Sequence, residues 1–424
     1  MAMDKSTRQN TTAHKEHKER KDRTASQKSP IRKPNALLYW GAREYINIVN
    51  RVKFNLTATG ERVHGPALLL SNHTSNEDYK YIAGSVRPAR ISFLATYHWF
   101  TFKKLAFWLK AIGAIPKYQF ATDLESMRKI KYIVQKKKGV VYIAPEGTVY
   151  SSGHLGYMSP AIAKMIRFLK VPVYTAKIQG AGLGNAKWSR HLHKGMVNVD
   201  THLLLTADEA RTLPADEIME RLTHALSYNE FDFQRQHNVI VKGDDKADGF
   251  ETMFYKCPIC GSEFKIEAHG NDIHCTSCGA KATIQDDFTF KWNRKHPRCF
   301  ENYSQWYDWQ LDEMLKAVAR PDFKLTEEVE YGYDEPGVDN YVKAGRGTMT
   351  LTHEGWDYVG TFKGEHVHEH DDPKTVFLAT LKVGLHFELP YRFGRCRVFY
   401  PKNGLHSMRW HLASLAMSMT LKNT

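Results

Sequence analysis

The sequence has no run of about 18 apolar residues, the shortest that crosses a bilayer as a helix. Its first 34 residues hold no apolar segment of the kind secretory leaders carry. Cysteine is scarce, with six among 424 residues, too few to staple a chain of this length. Acidic residues are in deficit, 46 against 60 lysines and arginines. The first two absences argue against a helical membrane protein and a secreted one, and the third against a disulfide scaffold. The expectation is a cytoplasmic protein, peripherally associated with a membrane that it touches from one side.

The formal net charge of +14 draws anions over a long range but does not choose among nucleic acid, lipid head groups and acidic proteins. Hydrophobic residues make up 42% and charged residues 25%, so a sizeable core can form. The length suits about two or three domains.

Residues 1–34 are polar and basic, ending in Pro30 and Pro34, and read as a disordered basic tail. A domain over 35–235 follows. It opens on a short amphipathic helix, Ala36 to Val49, and an extended piece, Val52 to Leu56. Short apolar runs at Pro66–Leu70, Val140–Ala144, Val171–Ile178 and Met196–Leu205 read as buried strands. Helical patterns at 123–136, 159–169 and 215–228 lie between or after them. That alternation predicts an α/β layer fold. Residues 91–112 carry Phe93, Tyr97, Trp99, Phe100, Phe102, Phe107 and Trp108 with Lys103, Lys104 and Lys110. They read either as a core helix or as an interfacial one, with its apolar face in lipid and lysines at the head groups. Residues 236–254, with no apolar period, read as a linker.

Two strand ends carry polar motifs. After Leu68–Leu70 comes Ser71-Asn72-His73-Thr74-Ser75-Asn76-Glu77-Asp78. On one helix His73 and Asp78 would point about 140° apart. With His73 in the loop and a helix starting near Ser75, the Asp78 carboxylate reaches back to the imidazole. A neutral imidazole can take a proton from an attacking hydroxyl, and a carboxylate behind it fixes the tautomer. The second motif, Ala144-Pro145-Glu146-Gly147-Thr148, ends another strand. Open α/β sheets bind ligands at such ends.

Taken together, these residues resemble the lysophosphatidate, or glycerophospholipid, acyltransferase family. Asn72-His73 with Asp78 matches its first block and Gly113-Ala114-Ile115-Pro116-Lys117 resembles the second. Pro145-Glu146-Gly147-Thr148 resembles the third and Val171-Pro172-Val173-Tyr174 the fourth, in the family's order, over roughly residues 36–235. The resemblance implies acyl transfer from acyl-CoA or acyl carrier protein to a lysophospholipid at a membrane surface. The acceptor would be 1-acyl-glycerol-3-phosphate or a relative, in phospholipid biosynthesis. It implies His73 as base and Asp78 as its orienting partner, with Asn72, Gly113, Lys117, Glu146, Gly147 and Thr148 on the acceptor. Two positions depart from the pattern. Lys117 and Val149 stand where the family usually has arginines, and arginine alone grips phosphate as a fork.

Cys257-Pro258-Ile259-Cys260 and Cys275-Thr276-Ser277-Cys278 are separated by 14 residues. Two such knuckles make a closed four-thiolate zinc site of structural type, and residues 255–290 resemble a zinc ribbon. Its loss is expected to leave the first domain standing. Residues 291–424 read as a β-rich unit with strands near 348–352, 356–362, 375–381, 386–389 and 397–400. A final helix over 406–420 has one apolar face. This pattern is similar to a pleckstrin-homology or GRAM-like module. His366, His368 and His370 alternate, so a strand would put them on one face beside Glu369 and Asp371, but they read first as a solvated polar loop. Two other classes compete with the enzyme: a zinc-ribbon nucleic-acid binder, and an acyltransferase fold retired to lipid sensing. Against the first, the basic residues of the first domain mingle with the aromatic stretch and the four ordered blocks would be coincidence; against the second stand the intact His73, Asp78 and Glu146, and no nucleic-acid partner is expected.

Overall fold

A computed structural model describes residues 34–420 apart from 101, 118–122, 151, 336, 337, 339, 374, 377 and 391–395; at His98, Lys103 and Lys104 it describes the backbone alone. The expected disordered tail therefore lies outside the described residues, except for Pro34.

The first sheet has seven strands: β1 (Thr57–Gly60), β2 (Ala67–Leu70), β3 (Ile91–Thr96), β4 (Ile115–Lys117), β5 (Val140–Ile143), β6 (Val173–Gln179) and β7 (Asn198–Leu205). Their order is β1-β7-β6-β2-β5-β3-β4. Every pair is parallel except β6 with β7. All four residues of β2 are fully buried. Leu68 and Leu70 join the core on one face, and Ala67 and Leu69 the core on the other. That period of two, with apolar side chains both ways, is what a central parallel strand covered by two helix layers requires. The helices Leu124–Lys131, Ala161–Leu169 and Ala215–Leu226 feed the first core. Ala36–Phe54 and Asp78–Ser85 feed the second. The α/β expectation holds.

Several local readings change. The helix from Ala36 runs on to Phe54, absorbing most of the expected extended piece. The aromatic stretch is not one helix. Ile91–Thr96 forms β3, Tyr97–Phe100 a single 3-10 turn, and only Lys103–Ala111 an α-helix. Ile91 and Phe93 sit in the sheet core; a short apolar run looks the same in a buried strand and a buried helix.

The second sheet has four antiparallel strands, β8 (Ile266–His269), β9 (Asp272–Cys275), β10 (Lys281–Ile284) and β11 (Phe290–Trp292), in the order β11-β10-β9-β8. The helix Tyr303–Val318, for which the sequence reading had no element, follows.

The third sheet has seven antiparallel strands: β12 (Leu325–Tyr333), β13 (Val342–Thr352), β14 (Gly355–Phe362), β15 (Glu365–Asp371), β16 (Thr380–Lys382), β17 (His386–Pro390) and β18 (Cys396–Pro401). The order is β15-β14-β13-β12-β18-β17-β16. His366, His368 and His370, read as a loop, lie on the edge strand β15, and His368 and His370 both bond Asp357 Oδ1 at 3.1 Å. The last helix, Ser407–Thr420, is buried nearly all round rather than on one face. Trp410 stacks on Phe387 and Trp356 of the third sheet, and the helix's other side packs against Tyr303–Val318.

Residues 236–254 are not a loose linker. Val239, Val241, Ala247, Phe250, Met253 and Phe254 are buried in a single core that also holds Trp188, Phe231, Tyr303 and residues of both later sheets. Irregular backbone can be buried where its polar groups find partners. Here Lys246, 1% exposed, donates to Gly243 O (2.6 Å) and Asp286 Oδ1 (2.9 Å). Turn-like backbone without a period hides such burial from a pattern search.

Candidate active site

β2 and β5 run parallel with Leu70 beside Ile143, so the segments after them leave the same edge of the sheet. Asn72 fixes the first of these. Its amide donates to Ile178 O and accepts from Ile178 N, each at 2.7 Å, so a side chain continues the ladder to β6. The chain then turns, and a helix begins at Asp78.

Asp78 is 1% exposed and saturated with donors. Its carboxylate accepts from Thr74 N (2.7 Å), Thr74 Oγ1 (3.0 Å), Ser75 N (3.1 Å) and Ser75 Oγ (2.9 Å), and it meets His73 Nδ1 at 2.8 Å. The pairing expected from the spacing is therefore present, although the helix starts at Asp78 itself rather than near Ser75. Nδ1 is committed to Asp78, and the imidazole is 26% exposed. Nε2 is the nitrogen left to meet a substrate.

Glu146, from the segment after β5, turns inward. Oε1 accepts the His73 backbone N–H at 2.6 Å and Oε2 accepts that of Gly156 at 2.7 Å. Glu146 is 3% exposed, and burial pushes its carboxyl up to about 8, against the pull of these two N–H groups. Gly147 follows at φ +71°, a turn conformation that suits glycine. Its N–H bonds Ala144 O, and Thr148 beside it is half-buried. Val149 is buried in the position of the family's arginine.

Lys117 ends β4, three strands from β2 along the same edge, which is roughly 14 Å at ordinary strand spacing. Burial lowers its pKa and Asp123 partly restores it. Gly113 has φ +72°, and a side chain there would meet Pro34 N at 2.9 Å. It closes the turn after the helix Lys103–Ala111. The structure thus gathers His73, Asp78 and Glu146 in one hydrogen-bonded knot, with Asn72 pinning its start to β6 and Gly147 and Thr148 beside it, and sets Gly113 and Lys117 apart.

Three groups near the knot have no sequence motif. Lys187 Nζ donates to Val149 O at 2.8 Å, and burial lowers its pKa to about 8. Glu230, buried at the first position of the helix Glu230–His237, accepts from Gly180 N (2.9 Å) and Gly182 N (2.5 Å), and burial raises its pKa to about 7. Tyr303 joins them and Thr74 around a cavity of about 10 Å³, room for about one water. The only signal in the sequence is the glycine-rich segment from Gly180 to Gly184 at the end of β6.

Away from this edge, Cys257, Cys260, Cys275 and Cys278 converge, with all four sulfurs within 4.8 Å of one another. Cys257 and Cys278 are 3.9 Å apart, and Cys260 and Cys275 3.8 Å. A tetrahedron with metal–sulfur arms of about 2.3 Å has edges of about 3.8 Å. Gly261 and Gly279, both at positive φ, close the two knuckles by bonding the carbonyls of Cys257 and Cys275. The donor set and its dimensions fit a closed metal site.

Residues 51–179 match the family model described as Acyltransferase. This segment, about a third of the chain, is similar to the Acyltransferase family and contains all four of the blocks quoted above. No curated protein matches the chain. Among solved structures, it is similar to the 1-acyl-sn-glycerophosphate (LPA) acyltransferase PlsC from Thermotoga maritima. That likeness has 15% identity and a TM-score of 0.37, covering 44% of this chain and 79% of that one.

Proposed function

We propose that the chain transfers a fatty acyl group from a thioester donor, acyl-CoA or acyl carrier protein, to the hydroxyl of a lysophospholipid. The observation that carries this reading is the His73–Asp78 pair, with Nε2 facing outward from a buried, fully bonded carboxylate. The acceptor hydroxyl gives its proton to Nε2 as its oxygen attacks the thioester carbon. The tetrahedral intermediate collapses, the carbon–sulfur bond breaks, and the departing thiolate takes the proton from Nε2. The products are a phospholipid and a free thiol. Asp78 holds the proton on Nδ1 throughout and stabilises the imidazolium. Glu146 and Asn72 serve this step as positioning residues, through the His73 peptide and the β6 backbone. Glycerophosphate-type acceptors fit the family, and Gly147, Thr148 and Lys117 lie along the edge where they would rest. With Val149 in place of arginine, phosphomonoester preference falls by roughly ten- to a hundredfold, the worth of one charged hydrogen bond.

The four thiolates suit zinc, which would tie the two knuckles together and leave no open position for chemistry. The third sheet's order, two meanders joined through β12 and β18 and closed by a terminal helix, supports the pleckstrin-homology or GRAM-like reading. No helix among the described residues is long and apolar enough to cross a membrane. Exposed Leu37, Trp40, Phe107 and Trp108 support contact with one surface of it.

The test is His73→Ala, assayed with labelled acyl-CoA and a panel of lysolipids. A general base is worth about two to four powers of ten, so turnover should fall by that much with circular dichroism unchanged. Near-normal turnover would remove the mechanism.

A further inference from the structure

The strongest unassigned feature lies at the end of the first sheet opposite His73. Arg62 precedes β2, and Arg87 and Pro88 precede β3. Val63 bridges Pro88 and bonds Arg87 O at 3.0 Å, which brings the two approaches together. The helix Ala36–Phe54 packs beside them. Trp40, Arg43, Arg62, Arg87 and Pro88 line a hollow of about 250 Å³.

Its charge is only partly compensated. Arg43 is 4% exposed, with its guanidinium 4.7 Å above the Trp40 ring. Arg43 and Arg87 share one carboxylate oxygen, Glu44 Oε1, at the long distances of 3.3 and 3.4 Å. Arg62 makes no hydrogen bond or ion pair with any described residue, and its neighbour Glu61 turns to His202 at 3.8 Å. Three guanidiniums against one carboxylate leave two positive charges around the hollow. Guanidinium forks match phosphate oxygens in geometry as well as charge. An unpaired arginine beside a nearly buried one is an arrangement that lacks its anion.

The surroundings say where the anion comes from. Trp40 is 57% exposed, and the same helix exposes Leu37 at 86% and Ile48 at 65%. Apolar side chains beside a cationic hollow are the two halves of an interfacial anchor, one for acyl chains and one for head groups. We propose that Arg43, Arg62 and Arg87 form a binding site for the phosphate of an anionic lipid head group. The site is separate from the one that holds the acceptor. It takes its lipid source from the interfacial reading above and does not depend on acyl transfer, so its test uses no turnover.

The full chain is sedimented with vesicles of phosphatidylcholine alone and of phosphatidylcholine containing phosphatidate. The pocket pair Arg62→Gln with Arg87→Gln is compared with Arg51→Gln and Lys53→Gln, which remove equal charge from the last turn of the helix Ala36–Phe54, outside the hollow's lining. A basic residue near an anionic surface is worth about fivefold in binding wherever it lies. The pocket pair should lose at least about tenfold more affinity for phosphatidate vesicles than the control pair, and nothing on phosphatidylcholine. Equal losses, or none, without a response to soluble phosphate would overturn the site. A second arm measures the melting temperature with inorganic phosphate and glycerol 3-phosphate. A pocket that answers soluble phosphate while the vesicle arm shows no difference would overturn the lipid source. Arg62→Gln alone, which breaks no contact, keeps the test clear of misfolding.

Discussion

Glu146 is legible in the sequence as a site residue, and its contacts support a different part from the one its motif predicts. Its motif predicts a place on the acceptor, yet both oxygens are spent on backbone N–H groups, one of them His73's own. In Glu146→Gln the amide nitrogen must face one of these donors. An unsatisfied buried donor costs about 1–3 kcal/mol, so the melting temperature should drop and turnover fall with it as His73 shifts. Unchanged turnover in a stably folded variant would return Glu146 to the acceptor's side. The pH dependence gives a second check. Burial lifts this carboxyl from 4.5 to about 8. The folded state therefore holds the proton more tightly than the unfolded one. The stability this gives is full below about 4.5 and is lost as pH rises through about 8. Glu146→Gln should flatten the decline of stability between those limits, read by urea unfolding across pH. His73 and Asp78 were legible because spacing and a helix start sufficed to pair them. Lys187 and Glu230 were not, because they are brought to Thr74 by a fold that no local pattern encodes.

At the scale of elements, the sequence separated strands from helices where their apolar periods differed, as at Ala161–Leu169 and Leu68–Leu70. It failed where burial on two faces erased the period. β3 runs on in sequence into the helix after it with no break in aromatic content, and Ser407–Thr420 shows one apolar face in its period although nearly every side is covered. The split of the aromatic stretch sharpens the membrane reading, because only part of it faces outward. On the helix Lys103–Ala111, Phe107 is 64% and Trp108 56% exposed, while Ala106 is buried. Removing two large aromatics from a lipid contact costs about 1.5–3 kcal/mol each. Phe107→Ala with Trp108→Ala should weaken binding to phosphatidylcholine vesicles by at least about a hundredfold, little changed by added salt. The arginine hollow behaves oppositely, since charge attraction fades with ionic strength. Unaltered binding to neutral vesicles would assign these side chains to some other contact.

At the scale of the molecule, the modular reading gives way to a shared core. A ribbon joined by a linker would be expendable. Instead Trp188, from the segment after β6, lies 5.3 Å from Phe250, 5.5 Å from Phe254 and 5.0 Å from Tyr303, and its indole N–H bonds Lys246 O at 3.1 Å. Phe231 meets Tyr303 at 4.9 Å, and His154 reaches Asp308 at 2.8 Å. Cys257 and Cys275 are members of the same buried cluster. Sequence periods report each element's own faces and say nothing of which distant faces meet, so this union was invisible. It changes what metal loss should do. Metal binding and folding are coupled at a four-thiolate site, and here the folded knuckles support aromatic contacts that reach Trp188 and Tyr303, beside the cavity that Thr74 lines. Cys275→Ser, or stripping with a chelator, should therefore lower the melting temperature of the whole chain in one cooperative transition and reduce acyl transfer with it. Differential scanning calorimetry, paired with zinc content and turnover on the same samples, reads all three. A variant that has lost its metal but keeps an unshifted main transition and full turnover would show that the ribbon folds apart after all.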